Sequence, residues 1–195
     1  MEKMGKEEKL KKLVKGYSAF ETITFIDVET DGLEFDPEND NVSRIISISA
    51  TKTKNKEIIG TFFTFVKSDR HIQKIVTELT KICDDDLKNA PNVYDALTAL
   101  YEFCKGSVQA YYCSPFTLRF LNYYSKDIDI CFEEMIDVYH LARIHLNEKM
   151  ERFIMISVAT YYGFYNDEWE KLKDSEKIAK IFFKICEEIN SSSEE

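Results

Sequence analysis

The chain alternates between two hydrophobic rhythms. Over residues 22–30 apolar and polar positions alternate with period two, so Ile23, Phe25, Asp27 and Glu29 share one face of a predicted strand. Asp31-Gly32 marks the turn that ends it. Residues 44–50 and 62–66 read as second and third strands, and 108–113 as a fourth. Helices are predicted near 75–88 and 92–104. In the second of these Asn92, after Pro91, is the cap, and Val93, Leu97, Leu100, Tyr101 and Cys104 form the buried stripe. A helix at 116–125 follows, in which the spacing of Phe116, Phe120 and Leu121 makes them core residues first. A short strand near 130–138 and helices near 138–147 and 152–162 come next. The last helix, 172–189, repeats apolar residues at Ile178, Ile181, Phe182, Ile185 and Ile189. Strands and helices mixed in this order predict an α/β layered sheet.

The 195 residues suit one domain over 18–190 with two tails, and a 44% hydrophobic content is ample for its core. Residues 1–17 are lysine-rich, with an apolar stripe at Leu10, Leu13, Val14 and Tyr17 that predicts a short helix docked on the domain or offered to a partner. Residues 191–195 are expected to be a disordered tail. No apolar run is long enough to span a bilayer and the charged start is unlike a signal peptide, so the expectation is a cytoplasmic protein without membrane attachment. Five scattered cysteines read as reduced core thiols, and His145 as a surface residue. A net charge of −9 sits awkwardly with nucleic-acid binding, which leaves any grip on phosphate to a metal and to local cations such as Arg119 or Lys173.

Three acids stand out. Asp27 and Glu29 continue the face that carries Ile23 and Phe25, and Asp174 lies one turn before Ile178, which points it inward. Neighbouring buried carboxylates repel each other, and no cationic side chain is assigned to neutralise them. A hard divalent ion would resolve this. An exposed strand end and a dipole-favoured acid in a first helical turn are the plainer alternatives.

Asp27-Val28-Glu29-Thr30-Asp31-Gly32-Leu33, followed by a loop and a strand, resembles the first motif of the DnaQ-like 3′–5′ exonucleases. That family includes the proofreading subunit of bacterial DNA polymerase III and the PolC-type exonuclease domains. Leu79-Thr80-Lys81-Ile82 is similar to the family's Leu-Thr-Gly-Ile, with lysine in place of glycine, and the likeness spans residues 20–189. It implies a ribonuclease H-like fold, a mixed five-stranded sheet with helices on both faces. It further implies that Asp27, Glu29 and Asp174 bind Mg2+ or Mn2+ as catalytic acids, and that Thr30, Gly32, Leu33 and Phe116 contact substrate. Two catalytic positions also depart from the pattern. Thr117 stands where the family has an aspartate, and Trp169 where it has a histidine. Threonine is a weak ligand for a hard cation, and an indole cannot act as a base. One ion site kept, a second weak or lost, and strongly impaired hydrolysis are what this pattern implies; a missing base alone typically removes about 10²–10⁴-fold in rate.

Two readings follow. One is a nucleic-acid-processing protein acting on or binding a 3′ end, with weak activity or none. The other is a non-catalytic module of this fold that docks on a polymerase or another protein.

Overall fold

The computed structural model describes residues 12, 14–17, 20–133 and 135–191. Its centre is β1 (Thr22–Thr30), whose alternating side chains serve two cores at once. Ile23 and Phe25 enter one cluster, and Ile26 and Val28 the other. On the outer side of β1 the strands β4 (Ile45–Lys54) and β5 (Glu57–Phe65) continue as an antiparallel meander. On its other side β6 (Val108–Tyr111) and β7 (Ile136–Asp137) run parallel to it. The order β5-β4-β1-β6-β7 is thus a mixed five-stranded sheet. A small hairpin of β2 (Phe35–Asp36) and β3 (Asn41–Val42) fills the loop between β1 and β4.

Helices cover both faces. One face is packed by α3 (Val93–Cys104) and α4 (Ser114–Ser125), which supply Leu97, Leu100, Phe120 and Leu121 to the core of Ile26 and Val28. The other is packed by α5 (Val138–Leu146), α6 (Met155–Tyr161), α7 (Asp167–Lys171) and α8 (Asp174–Ser191). Val14, within the helical residues 14–17, is fully buried in this second core, and Tyr17 packs on Phe182. Leu10 and Leu13 lie outside the described residues, as do residues 192–195.

Several elements differ from the sequence reading. The helix expected over 75–88 is two short ones, α1 (Lys74–Thr80) and α2 (Asp84–Leu87), parted by Lys81 at φ 63°. Ile75 and Leu79 face solvent, while Ile82 is buried. The left-handed conformation at Lys81 is one that glycine adopts without cost and a β-carbon resists. Lys81→Gly is therefore expected to raise stability by about 0.5–1 kcal/mol, read as a higher urea midpoint at unchanged slope. A lower midpoint would mean that the Lys81 side chain contributes more than its backbone costs. The strand near 130–138 contracts to two residues, and α7, a single helical turn and a half, was absent from the periodicity because it is too short to show one. The final helix begins at Asp174, since Leu172 is extended and closes α7, and it runs through Ser191 instead of releasing it to a tail.

Asn92 caps α3 as expected, its side chain accepting from the Asp95 amide at 3.0 Å. All five cysteines are unpaired, but only Cys104 and Cys186 are buried; Cys83 and Cys131 are exposed, so the core-thiol reading fails for them. His145 is not a surface residue. It packs against α8 with its Nε2 3.0 Å from Glu188, an acid that also accepts from the Tyr162 hydroxyl at 3.1 Å.

Candidate metal centre

The alternation of β1 that buries Phe25 against α8 carries Asp27 and then Glu29 onto the same face, beyond the point where aromatic rings fill it. Asp174 reaches them because the start of α8 is fastened to β4. Asp27 pairs with Ser49 across the β1–β4 ladder, and the Ser49 hydroxyl accepts from the Ser175 amide at 3.3 Å. The Ser175 hydroxyl lies 2.9 Å from that of Thr51, with both residues fully buried. Ser47, Ser49, Thr51 and Thr53 thus form a buried hydroxyl stripe beneath α8, alternating with the apolar residues that face α3. Small hydroxyls at every second position of a buried strand were the available signal for this seam.

Among the described residues Asp27, Glu29 and Asp174 form one group whose ligand oxygens lie within 4.8 Å of one another. No fourth carboxylate, thiolate or imidazole of the described residues joins them. The three keep an opening to solvent, yet protein atoms crowd Asp27 and Glu29 on their remaining sides. Burial, followed by repulsion from Asp174 and Glu29, holds the Asp27 carboxyl well above the ordinary carboxylate range. Burial, repulsion from Asp174 and a side-chain hydrogen bond to Asp174 push Glu29 up to about 7. A cation is present as well. Lys177, one turn along α8, places Nζ 2.8 Å from Asp174 Oδ1 with only 15% of its side chain exposed. The expectation of carboxylates without a cationic partner is therefore corrected. Residues three apart on a helix share a face, so the spacing of Asp174 and Lys177 was the signal for it.

Oxygen ligands around one Mg2+ or Mn2+ stand about 3–4 Å apart, so this trio needs only a small contraction to hold an ion, and its donor set is the hard one such ions prefer. Thr117 is fully buried in the first turn of α4. Trp169 is 3% exposed and stacks on Phe164, with ring centroids 6.0 Å apart; it is a core residue of the α8 face.

The residues expected to meet substrate fall into two groups. Thr30 is buried and its hydroxyl donates to the Gly32 carbonyl at 2.5 Å, which shapes the turn. A β-carbon at Gly32 would meet Ser43 Oγ at 2.8 Å and would collide with Glu34 Oε2, which accepts a hydrogen bond from that hydroxyl. Leu33, by contrast, is 73% exposed. Arg119 joins it to Phe116, donating to the Leu33 carbonyl at 3.4 Å while its guanidinium lies 4.8 Å from the centre of the Phe116 ring. Phe35 and Phe120 flank the same guanidinium, whose buried Nε has no hydrogen-bond partner among the described residues. Asp31, which the sequence marks with Gly32 as the turn, pins that turn by accepting from the Arg44 amide at 2.7 Å.

Comparison with known proteins bears on this geometry. A family model described as "Exonuclease" matches residues 24–182. A PolC-type DNA polymerase III from Caldanaerobacter subterraneus subsp. tengcongensis is 31% identical over 166 residues, 84% of this chain but 11% of that polymerase. Among solved structures, a 3′-exonuclease recognising the 3′ end of a histone mRNA stem-loop superposes with a TM-score of 0.69 at 18% identity, over 87% of this chain and 83% of that one. An exonuclease X bound to 5′-overhanging duplex DNA gives 0.60 at 15% identity, over 88% and 93%.

Proposed function

This chain belongs to the RNase_T exonuclease family, and from that premise we propose that it engages 3′ ends of nucleic acid through one divalent ion held by Asp27, Glu29 and Asp174, with hydrolysis strongly impaired. The observation that carries the proposal is the convergence of those three carboxylates with no fourth acid and no imidazole beside them among the described residues. Bound there, Mg2+ or Mn2+ would supply charge stabilisation at a phosphodiester and a more acidic water. The protein's own part is to fix the three carboxylates through β1 and the Ser49–Ser175 seam, and to present Leu33 and Phe116 around Arg119. Leu33 offers an apolar edge to a terminal base, and Arg119 a cation for a phosphate on a chain of net charge −9. Thr117 offers a neutral hydroxyl where the family places a ligand acid. Trp169, sealed in the core, leaves no base at its position.

A second reading has support of its own. The PolC-type relative is about nine times longer than the matched segment, and a module lacking a base would suit docking beside a polymerase or another protein. No helix among the described residues is long and apolar enough to cross a membrane. We place the protein in the cytoplasm, with such partners.

Titration with Mn2+ is expected to give about one site, lost in Asp27→Ala. With Mg2+, labelled single-stranded DNA or RNA should be degraded barely above background. Efficient digestion that vanishes in Asp27→Ala would overturn the impairment, and wild-type protein that binds no Mn2+ would favour the docking module.

A further inference from the structure

Ion pairs three residues apart on a helix are ordinarily solvated and worth little. The pairs Lys171–Glu168 and Lys88–Asp85 fit that description, with every partner at least 67% exposed. Lys177–Asp174 does not. Its side chains are 15% and 33% exposed, and Asp174 belongs to a cluster whose other members, Asp27 and Glu29, have no cation hydrogen-bonded to them among the described residues. Lys177 acts electrostatically on both of those acids too, opposing the repulsion among the three.

We infer that Lys177 is a tethered counter-cation of the carboxylate cluster, stabilising the domain without metal and competing with a divalent ion for Asp174. This rests on the reading of the cluster as a metal site. A divalent ion about 2.1 Å from the oxygen that Lys177 holds would lie within about 5 Å of the ammonium, at which distance like charges in a half-buried site repel strongly. The ion can bind fully only if Lys177 swings away, which its flexible four-carbon stem permits. Ion binding is thereby made conditional, since the cluster is already partly neutralised when no ion is present. The site differs in this from a bare acidic trio, which must take up an ion or protons to relieve its repulsion.

Lys177→Met keeps most of the stem and removes the charge, whereas Lys177→Arg keeps the charge. Mn2+ titrations of the full chain at fixed pH, with thermal unfolding in EDTA, read both halves of the inference. Lys177→Met is expected to bind Mn2+ at least about tenfold more tightly than wild type and to melt lower in EDTA. Lys177→Arg should stay near wild type in both. Mn2+ binding by Lys177→Met alone would also support the inference, with the wild-type site kept closed by its lysine, and would overturn the proposal that wild type holds an ion. Equal, measurable affinities in wild type and Lys177→Met would overturn it while leaving the metal reading intact. Absence of binding in every form would overturn the metal reading and this inference together. If Lys177→Met is unfolded in EDTA, recovery of its fold by Mn2+ supports the competition, and failure to recover overturns it.

Discussion

Raising the pH from 5 to 8 in EDTA is expected to cost the protein roughly 3 kcal/mol of stability, and saturating Mn2+ is expected to remove that loss. Glu29 titrates at about 7 in the folded protein, against an ordinary value of 4.5. Between those two values the folded state binds more protons than the unfolded one, so stability falls as pH rises, and the fall is complete once pH exceeds about 7. Asp27, also raised, acts in the same direction. Acids held below their ordinary range, such as Asp84 and Asp86, have the opposite effect, but theirs appears only at pH below about 4. Asp31, raised by burial, acts in the same direction as the cluster, so the Glu29→Gln variant is what assigns the fall to the cluster. A bound ion needs the deprotonated carboxylates and reverses the preference, so urea unfolding with Mn2+ should show a flat or rising profile. Glu29→Gln should flatten the EDTA profile without metal. A wild-type profile already flat in EDTA would mean that the cluster is better hydrated or better paired than its burial implies.

The acids of this site were legible because each lies on an element with an unbroken rhythm. β1 alternates over nine residues, so the faces of Asp27 and Glu29 follow from those of Ile23 and Phe25. α8 runs for eighteen, so the inward aim of Asp174 follows from Ile178. Lys177 obeys the same rhythm and was passed over because a lysine in a helix of mixed charges reads as solvated surface. What escaped was set by tertiary contact or by single residues. The break at Lys81 depends on one left-handed residue that sequence gives no reason to place there, except that the resembling motif has glycine. His145 is half-buried beside Glu188, forty-three residues later, an acid that also accepts from Tyr162, and no local pattern connects the three. The Ser49–Ser175 seam joins residues 126 apart; only the alternation of hydroxyls in β4 hints that something polar is buried beneath a helix. Trp169 is the instructive case. The resemblance puts it where a base would stand, and the structure places its ring in the core, so on the proposed assignment the missing base and the packed ring share one position.

That coupling shapes the largest change expected in activity. Thr117→Asp restores an acid at the start of α4, where the helix dipole favours negative charge by a few tenths to about 1 kcal/mol. Full burial opposes it by more, so the variant should be less stable than wild type in EDTA. Mn2+ at a hundred times its dissociation constant would return about 2.7 kcal/mol. Stoichiometry is expected to rise from one ion to two. Trp169→His removes a buried ring, a change that typically costs about 3–5 kcal/mol through the cavity it leaves. It also supplies a base only if α7 turns that side chain from Phe164 toward the cluster. Either variant alone should therefore remain slow, one lacking the base and the other the second ion. The folded double variant in Mn2+ should hydrolyse single-stranded substrate at least about 10²-fold faster than wild type, a gain beyond the sum of the single changes. A second ion in Thr117→Asp without that gain in the double variant would show that position 169 cannot reach the reacting phosphate and that the fold has given its place to the core. One ion in Thr117→Asp would show that Thr117 does not face the cluster, and the assignment of the lost ligand would fall.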